Sequence, residues 1–157
     1  MIATTAHRVA DQTDPAVNEK IRRRIEKNLG YYQNHLEKID HRLKQLDEEW
    51  DVERMLETGS SAVTLAGLVL GIGRNRRWLL LSLAVQGFFL QHALQGWCPP
   101  LPVLRRLGFR TPNEIEQERY GLKVLRGDFG SVGDPTHGGV DRLRSRGADQ
   151  VLRAVEQ

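Results

Sequence analysis

The chain has 157 residues, with 23 Lys and Arg against 20 Asp and Glu, a formal net charge of +3 and 39% apolar residues. That length suits one domain and excludes a large multidomain enzyme. Its single Cys, Cys98, excludes an intramolecular disulfide framework and any cysteine-built zinc ribbon within one chain.

The negative mean hydropathy hides an uneven charge distribution. Residues 59–104 hold three Arg and no carboxylate, so all 20 acidic groups lie outside them. Residues 1–13 are polar and lack the apolar run of a secretory signal; they are expected to form a disordered arm. Asp14-Pro15 then reads as a helix start, an acceptor side chain at the N-cap with Pro in the first helical position. A long helix is expected over 14–58. Within it Leu29, Tyr32, Leu36, Ile39, Leu43, Leu46 and Trp50 alternate in steps of three and four. That heptad predicts a coiled-coil seam buried on another helix, in a homodimer or against a partner. The alternative is a long helix packed back on its own chain.

Residues 59–73 and 78–104 carry no charge, and Arg74-Asn75-Arg76-Arg77 between them makes a short basic turn. Two apolar helices so linked must be antiparallel neighbours. The 59–104 region therefore predicts a transmembrane hairpin, with spans at about 55–73 and 78–98. Trp78 to Trp97 covers about 28 Å of helix against a hydrocarbon core of ~30 Å, with both Trp placed as interfacial anchors. The alternative is a buried hairpin in a soluble helical adaptor.

Small residues at helical spacing predict the packing face. Ser60, Thr64, Gly67 and Gly71 share one stripe of the first span; Ala84, Gly87, Gln91, Gln95 and Cys98 share one of the second. In register, Gly67 would face Ala84 and Ser60 would face Gln91. Gln91, His92 and Gln95 form a polar intramembrane group, read as interhelical hydrogen bonding or as a polar pathway. After the second span, Pro99-Pro100-Leu101-Pro102 predicts a stiff extended exit. Thr111-Pro112-Asn113-Glu114 is a capping-box signature opening an amphipathic helix over 111–126. Residues 127–157 read as a flexible tail with a weak helix.

Chemistry is sparse. The five His residues include no i, i+4 pair, so neither a metal nor a cofactor is expected, and no Walker loop, nucleophile elbow or dinucleotide fingerprint occurs. Lys20 to Lys27 form a basic cluster without interleaved aromatics, which fits a solvated helix face better than nucleic-acid binding. Cys98 is the candidate functional thiol. Activation needs a nearby base or positive charge. On a continuous helix His92 lies too far round to serve, which leaves Arg105 or Arg106; otherwise Cys98 is a packing residue. Eight Lys or Arg flank the outer ends of the hairpin against three in the turn, which predicts both termini in the cytoplasm.

Glu53-Arg54, the Gly-rich first span, Trp78, Gly96-Trp97-Cys98-Pro99 and the run from Glu118-Arg119-Tyr120-Gly121 to Gly127-Asp128-Phe129 resemble the YgaP-like transmembrane domain family. The resemblance covers roughly residues 53–129. It implies a small multi-pass protein of the bacterial inner membrane. Members can follow a rhodanese sulfurtransferase domain, but here a heptad helix stands in that place and no second Cys exists, so sulfurtransferase activity does not carry over. The expectation is an all-α, non-enzymatic membrane anchor or scaffold, with a sulfur-handling role for Cys98 as the alternative.

Overall fold

The computed structural model describes residues 7–128, and these are helical without a strand. The elements are α1 (Arg8–Asp11), α2 (Pro15–Gln33), a 3-10 turn (Leu36–Lys38), α3 (Ile39–Glu48), α4 (Val52–Gly73), α5 (Trp78–Gln95), α6 (Leu101–Leu107) and α7 (Pro112–Arg126). The fold is all-α. Residues 1–6 of the arm expected over 1–13, and 129–157 of the tail expected over 127–157, lie outside the described residues. Residues 8–11, assigned to the arm, form a helical turn whose Val9 is buried.

Instead of one helix over 14–58, the chain makes two helices and then enters the hairpin. Asp14 caps α2 by accepting from the Ala16 N–H at 2.9 Å. The helix stops after Gln33 because side chains capture its backbone: His35 Nδ1 lies 2.9 Å from the Tyr31 carbonyl, and Asn34 donates to the Gly30 carbonyl. Gly30 and Asn34 are also weak helix formers. A second break follows Glu48, where Glu49 is extended and Asp51 caps α4 through the Arg54 N–H at 2.7 Å.

These breaks send the heptad residues to a different partner. Ile39, Leu43 and Leu46 are buried on Ile115 and Leu122 of α7, with Leu29, Tyr32 and Leu125 around them. Leu36 and Trp50 are left exposed, and the Trp50 ring lies beneath the Arg54 guanidinium. Along α3 and α7 the ion pairs run in opposite directions, Asp40 to Arg126 and Asp47 to Arg119, so the two helices are antiparallel. Gly121 of α7 lets Leu29 of α2 close on the other side; a Cβ there would lie 2.7 Å from that side chain. Ile39, Leu43 and Leu46 of the seam are thus packed within the chain, in a small three-helix cap.

Buried ion pairs tie this cap together. Arg110 and Glu118 are both fully buried and 2.5 Å apart; Glu118 also accepts from Arg42 and Asn28, and Arg110 reaches Glu49. Burial alone would raise the Glu118 carboxyl, but the hydrogen bond from Arg42 and the charge of Arg110 hold it below its ordinary value. Arg105 makes a bidentate pair with Glu114 at 2.6 and 2.7 Å. Its remaining bonds go to Thr13, Asn18 and the Phe109 carbonyl. Glu114 completes a capping box with Thr111.

The hairpin α4–α5 rises from this cap. Gly67 and Gly71 are buried at the interface, while Thr64 takes hydrogen bonds from Ser82 on its carbonyl (3.0 Å) and from Gln86 on its hydroxyl (2.8 Å). Gly67 therefore lies against Ser82 and Gly71 against Leu79. The Pro-rich exit is not extended: Pro102 sits in the first turn of α6, where its missing N–H costs nothing.

Candidate functional site

Sequence spacing carried the second span to Cys98, but α5 ends at Gln95. Gly96 takes a left-handed conformation (φ +78°), and its N–H closes on the His92 carbonyl at 2.7 Å. A Cβ at Gly96 would also run into the backbone of Arg8, lying 2.5 Å from its carbonyl carbon. Only Gly satisfies both demands. The reversal turns the chain back so that Cys98 packs in one buried cluster with Val9, Val52, Leu56 and Leu101.

Cys98 is buried among Val9, Val52, Leu56 and Leu101, with Phe89, Leu104 and Phe109 around them. His92 is 1% exposed, and neither ring nitrogen makes a hydrogen bond. Its Nε2 lies 3.6 Å from Glu53 Oε2, close enough to pair when the ring is protonated. Glu53 is held in turn by Arg8, whose guanidinium donates to both carboxylate oxygens at 2.9 and 3.0 Å. An unpaired buried polar side chain costs about 1–3 kcal/mol, so the Glu53 carboxylate is what makes a buried imidazole tolerable there.

Arg8, Glu53 and His92 thus draw on α1, α4 and α5: a guanidinium fixes a carboxylate, and the carboxylate faces the imidazole. On its far side Cys98 borders a groove of about 470 Å³ between α4, α5 and α6. The groove walls are apolar and carry no charged residue. Among the described residues no group of His, Cys, Asp and Glu has the makings of a metal site.

The other residues singled out from sequence are scattered. Ser60 and Thr64 are half-buried and Gly67 and Gly71 buried, and Thr64, Gly67 and Gly71 face α5. Ala84, Gly87 and Gln95 are exposed and do not form the opposing stripe; the face that packs carries Ser82, Gln86 and His92. The reason is steric: the glycines of α4 are hollows, and a hollow takes a larger side chain, not another small one. Gln91 is half-buried and separated from His92 by the helix turn. Arg105 is spent on Glu114 and cannot serve Cys98, and Arg106 is exposed. Sequence reasoning missed Glu53 and Arg8. The signal available was Gly96 beside Cys98, which marks a helix end rather than a helix interior.

Comparison with family models, with curated proteins and with solved structures finds no match for this chain. Among the described residues one helical stretch, ending at Gly73, is long and apolar enough to cross a membrane by length and composition.

Proposed function

We propose that this protein is an integral membrane anchor in which α4 and α5 form a two-pass hairpin, and in which the α2–α3–α7 bundle is a rigid cap on one membrane face. The observation that carries this reading is the unpartnered apolar surface of the hairpin. Leu65, Val69 and Ile72 of α4 are 63%, 69% and 86% exposed, and Leu80, Leu83 and Leu90 of α5 are 66%, 70% and 61% exposed. Smaller exposures continue along both helices, whereas soluble monomers keep contiguous apolar patches to roughly a few hundred Å². A soluble adaptor would need another protein to cover it on every side. Lipid covers it without one.

Helix α5 is 18 residues, about 27 Å, which reaches across most of a ~30 Å hydrocarbon core. Three Arg in the turn mark the far interface, and the larger basic count beside the cap favours a cytoplasmic cap with both termini on that side. With the resemblance to inner-membrane hairpins, this gives a bacterial inner-membrane protein that works as a scaffold.

Washing membranes in alkaline carbonate tests the reading: a spanning hairpin stays in the pellet, and release into the supernatant refutes it. Reporter fusions after Gln157 test the side. A cytoplasm-dependent reporter is expected to be active there, and activity of a periplasm-dependent one reverses the orientation.

A further inference from the structure

The arginines fall into two sets. Arg8, Arg42, Arg105, Arg110, Arg119 and Arg126 are ion-paired within the fold, and Arg22 and Arg23 pair with Glu19. Among the described residues the Arg side chains outside any ion pair are Arg74, Arg76 and Arg77 in the hairpin turn, together with Arg24, Arg54 and Arg106. The last three, all exposed, converge on one surface. Arg54 lies over the Trp50 ring, 4.5 Å from its centroid. Arg24 Nη1 comes within 3.8 Å of where a Gly108 Cβ would be, and Arg24, Trp50, Leu107 and Phe109 border an open cleft of about 450 Å³. Val103, Arg106 and Leu107, at i, i+3 and i+4, share the exposed face of α6. Cations are thus interleaved with the exposed apolar side chains of Trp50, Val103 and Leu107.

The acidic flank before the hairpin does not cancel these charges. Asp47, Glu49 and Glu53 are committed to Arg119, Arg110 and Arg8, and Asp51 to the N-terminus of α4. Glu48 is the carboxylate left at the cleft, against three Arg. The surface also lies at a defined depth. From Arg54 to Gly73, α4 covers about 28 Å. On the two-pass reading, on which this inference rests, that is one hydrocarbon thickness of ~30 Å from the Arg74–Arg77 turn. Arg54 and its neighbours then sit in the headgroup layer beside the cap, the depth that Trp favours.

We propose that Arg24, Arg54 and Arg106, with Trp50 and Leu107 between them, form a docking site for the headgroup of an anionic phospholipid in the cap-side leaflet. The guanidinium groups hold the phosphate through charge-assisted hydrogen bonds. Trp50, Val103 and Leu107 lie against the glycerol and the first carbons of the chains. A nucleic acid or a free phosphate would match the cations but leave Val103 and Leu107 in water.

The test uses the full-length chain with Trp78→Phe and Trp97→Phe, so that Trp50 reports alone, reconstituted into phosphatidylcholine vesicles. Flotation and resistance to alkaline carbonate come first. A chain that is not retained refutes the two-pass reading, and the site loses its basis; a retained chain makes the next step a test of the site alone. A minor fraction of brominated phosphatidylglycerol is then introduced and, in parallel, phosphatidylcholine brominated at the same carbons. Quenching of Trp50 is expected to show a preference for phosphatidylglycerol of about fivefold or more, the factor equivalent to the ~1 kcal/mol of one Arg at an anionic surface. The preference should weaken as salt is raised. Arg24→Gln, Arg54→Gln and Arg106→Gln should each lower it and together remove it, while Arg22→Gln, which takes the same charge from an ion-paired position, leaves it unchanged. Equal quenching by the two lipids, a preference that survives the triple substitution, or one lost as fully in Arg22→Gln would each overturn the proposal. So would abolition of the preference by inorganic phosphate at matched ionic strength, which would assign the cations to a soluble phosphate.

Discussion

Replacing Gly96 by Ala separates two physical effects at one position. The first is backbone strain: Gly96 has φ +78°, and an L side chain there costs about 1–2 kcal/mol. The second is steric. The new Cβ would lie 2.5 Å from the Arg8 carbonyl carbon and 2.9 Å from the Arg8 Cβ, and would overlap the Arg8 carbonyl oxygen. Backbone cannot swing aside as a flexible side chain can, so α1 must move as a unit, at the 1–3 kcal/mol or so typical of overpacking. The total, about 2–5 kcal/mol, is a large share of the 5–15 kcal/mol that holds an ordinary domain.

Gly127→Ala supplies the reference. It has nearly the same backbone angle, φ +87°, with nothing within 4 Å of its Cβ, so it carries the strain without the clash. Thermal unfolding followed by circular dichroism should lower Tm by roughly 8–20 °C for Gly96→Ala, and by only the first few degrees of that for Gly127→Ala. Because α1 is displaced, Gly96→Ala should also break the Arg8–Glu53 pair and expose Arg8 to trypsin. If the two variants cost the same and Arg8 stays protected, α1 does not pack on the Gly96 turn, and the route from Arg8 through Glu53 to His92 fails with it.

Other perturbations test other parts of the argument. Glu118→Gln leaves Arg110 with half its counter-charge in a fully buried position and Arg42 with only the more distant Glu49; a loss of about 3 kcal/mol in chemical denaturation is expected. Glu118 and Glu114 have folded values held below the unfolded ~4.3. Their contribution is thus complete above that value and lost as pH falls through the lower folded values; the native chain should destabilise steeply in acid and Glu118→Gln less so. Leu43→Asp places a charge in the core shared with α7, so it should unfold the cap and leave the molar mass of the assembly, from sedimentation equilibrium, unchanged; dissociation of a dimer into folded monomers would restore the interchain coiled coil. Gly67→Leu meets Ser82 Oγ and comes within 3.2 Å of the Trp78 carbonyl oxygen. It should splay the hairpin, at about 1–3 kcal/mol, and be read as loss of a cysteine crosslink engineered between Thr64 and Gln86.

Much of the architecture was legible because its signals are local. Asp14-Pro15 and Thr111-Pro112-Asn113-Glu114 carry their own capping chemistry, and both helices begin there. The Arg74 to Arg77 turn and the small-residue face of α4 follow from composition and period alone. What sequence could not give was set by contacts between distant residues. The heptad from Leu29 to Trp50 states that a stripe must be buried but not against what; the answer, α7, lies some 70 residues away and depends on two helix breaks. Those breaks were partly visible, in Gly30 with Asn34 and in Asp51, but a continuous hydrophobic period outweighs them on paper. The opposing face of α5 was misassigned because matching small residues with small ones ignores that a hollow must be filled. The cluster around Cys98 was hidden by a single dihedral angle: with Gly96 in a right-handed turn, α5 would run on and Cys98 would not join Val9 and Leu101.

The cap and the hairpin are one mechanical unit. Helix α4 starts inside the cap, where the Val52 N–H bonds the Arg110 carbonyl at 2.8 Å, and Arg110 is the same residue that joins Glu49 to Glu118. At the next residue Glu53 reaches Arg8, and one turn on Leu56 packs with Val9, Cys98 and Leu101. A tilt of the hairpin therefore cannot be absorbed in a loop; it must pull on α1 and α6 at the floor of the groove. Filling the groove acts on the same contacts from the other direction, since Leu56 and Leu104 line it while also packing toward the Cys98 cluster. An occupied groove should brace α4 against α5 and α6, and an empty one leaves them to settle on one another. That coupling ties the packing at the floor of the groove to the position of the cap.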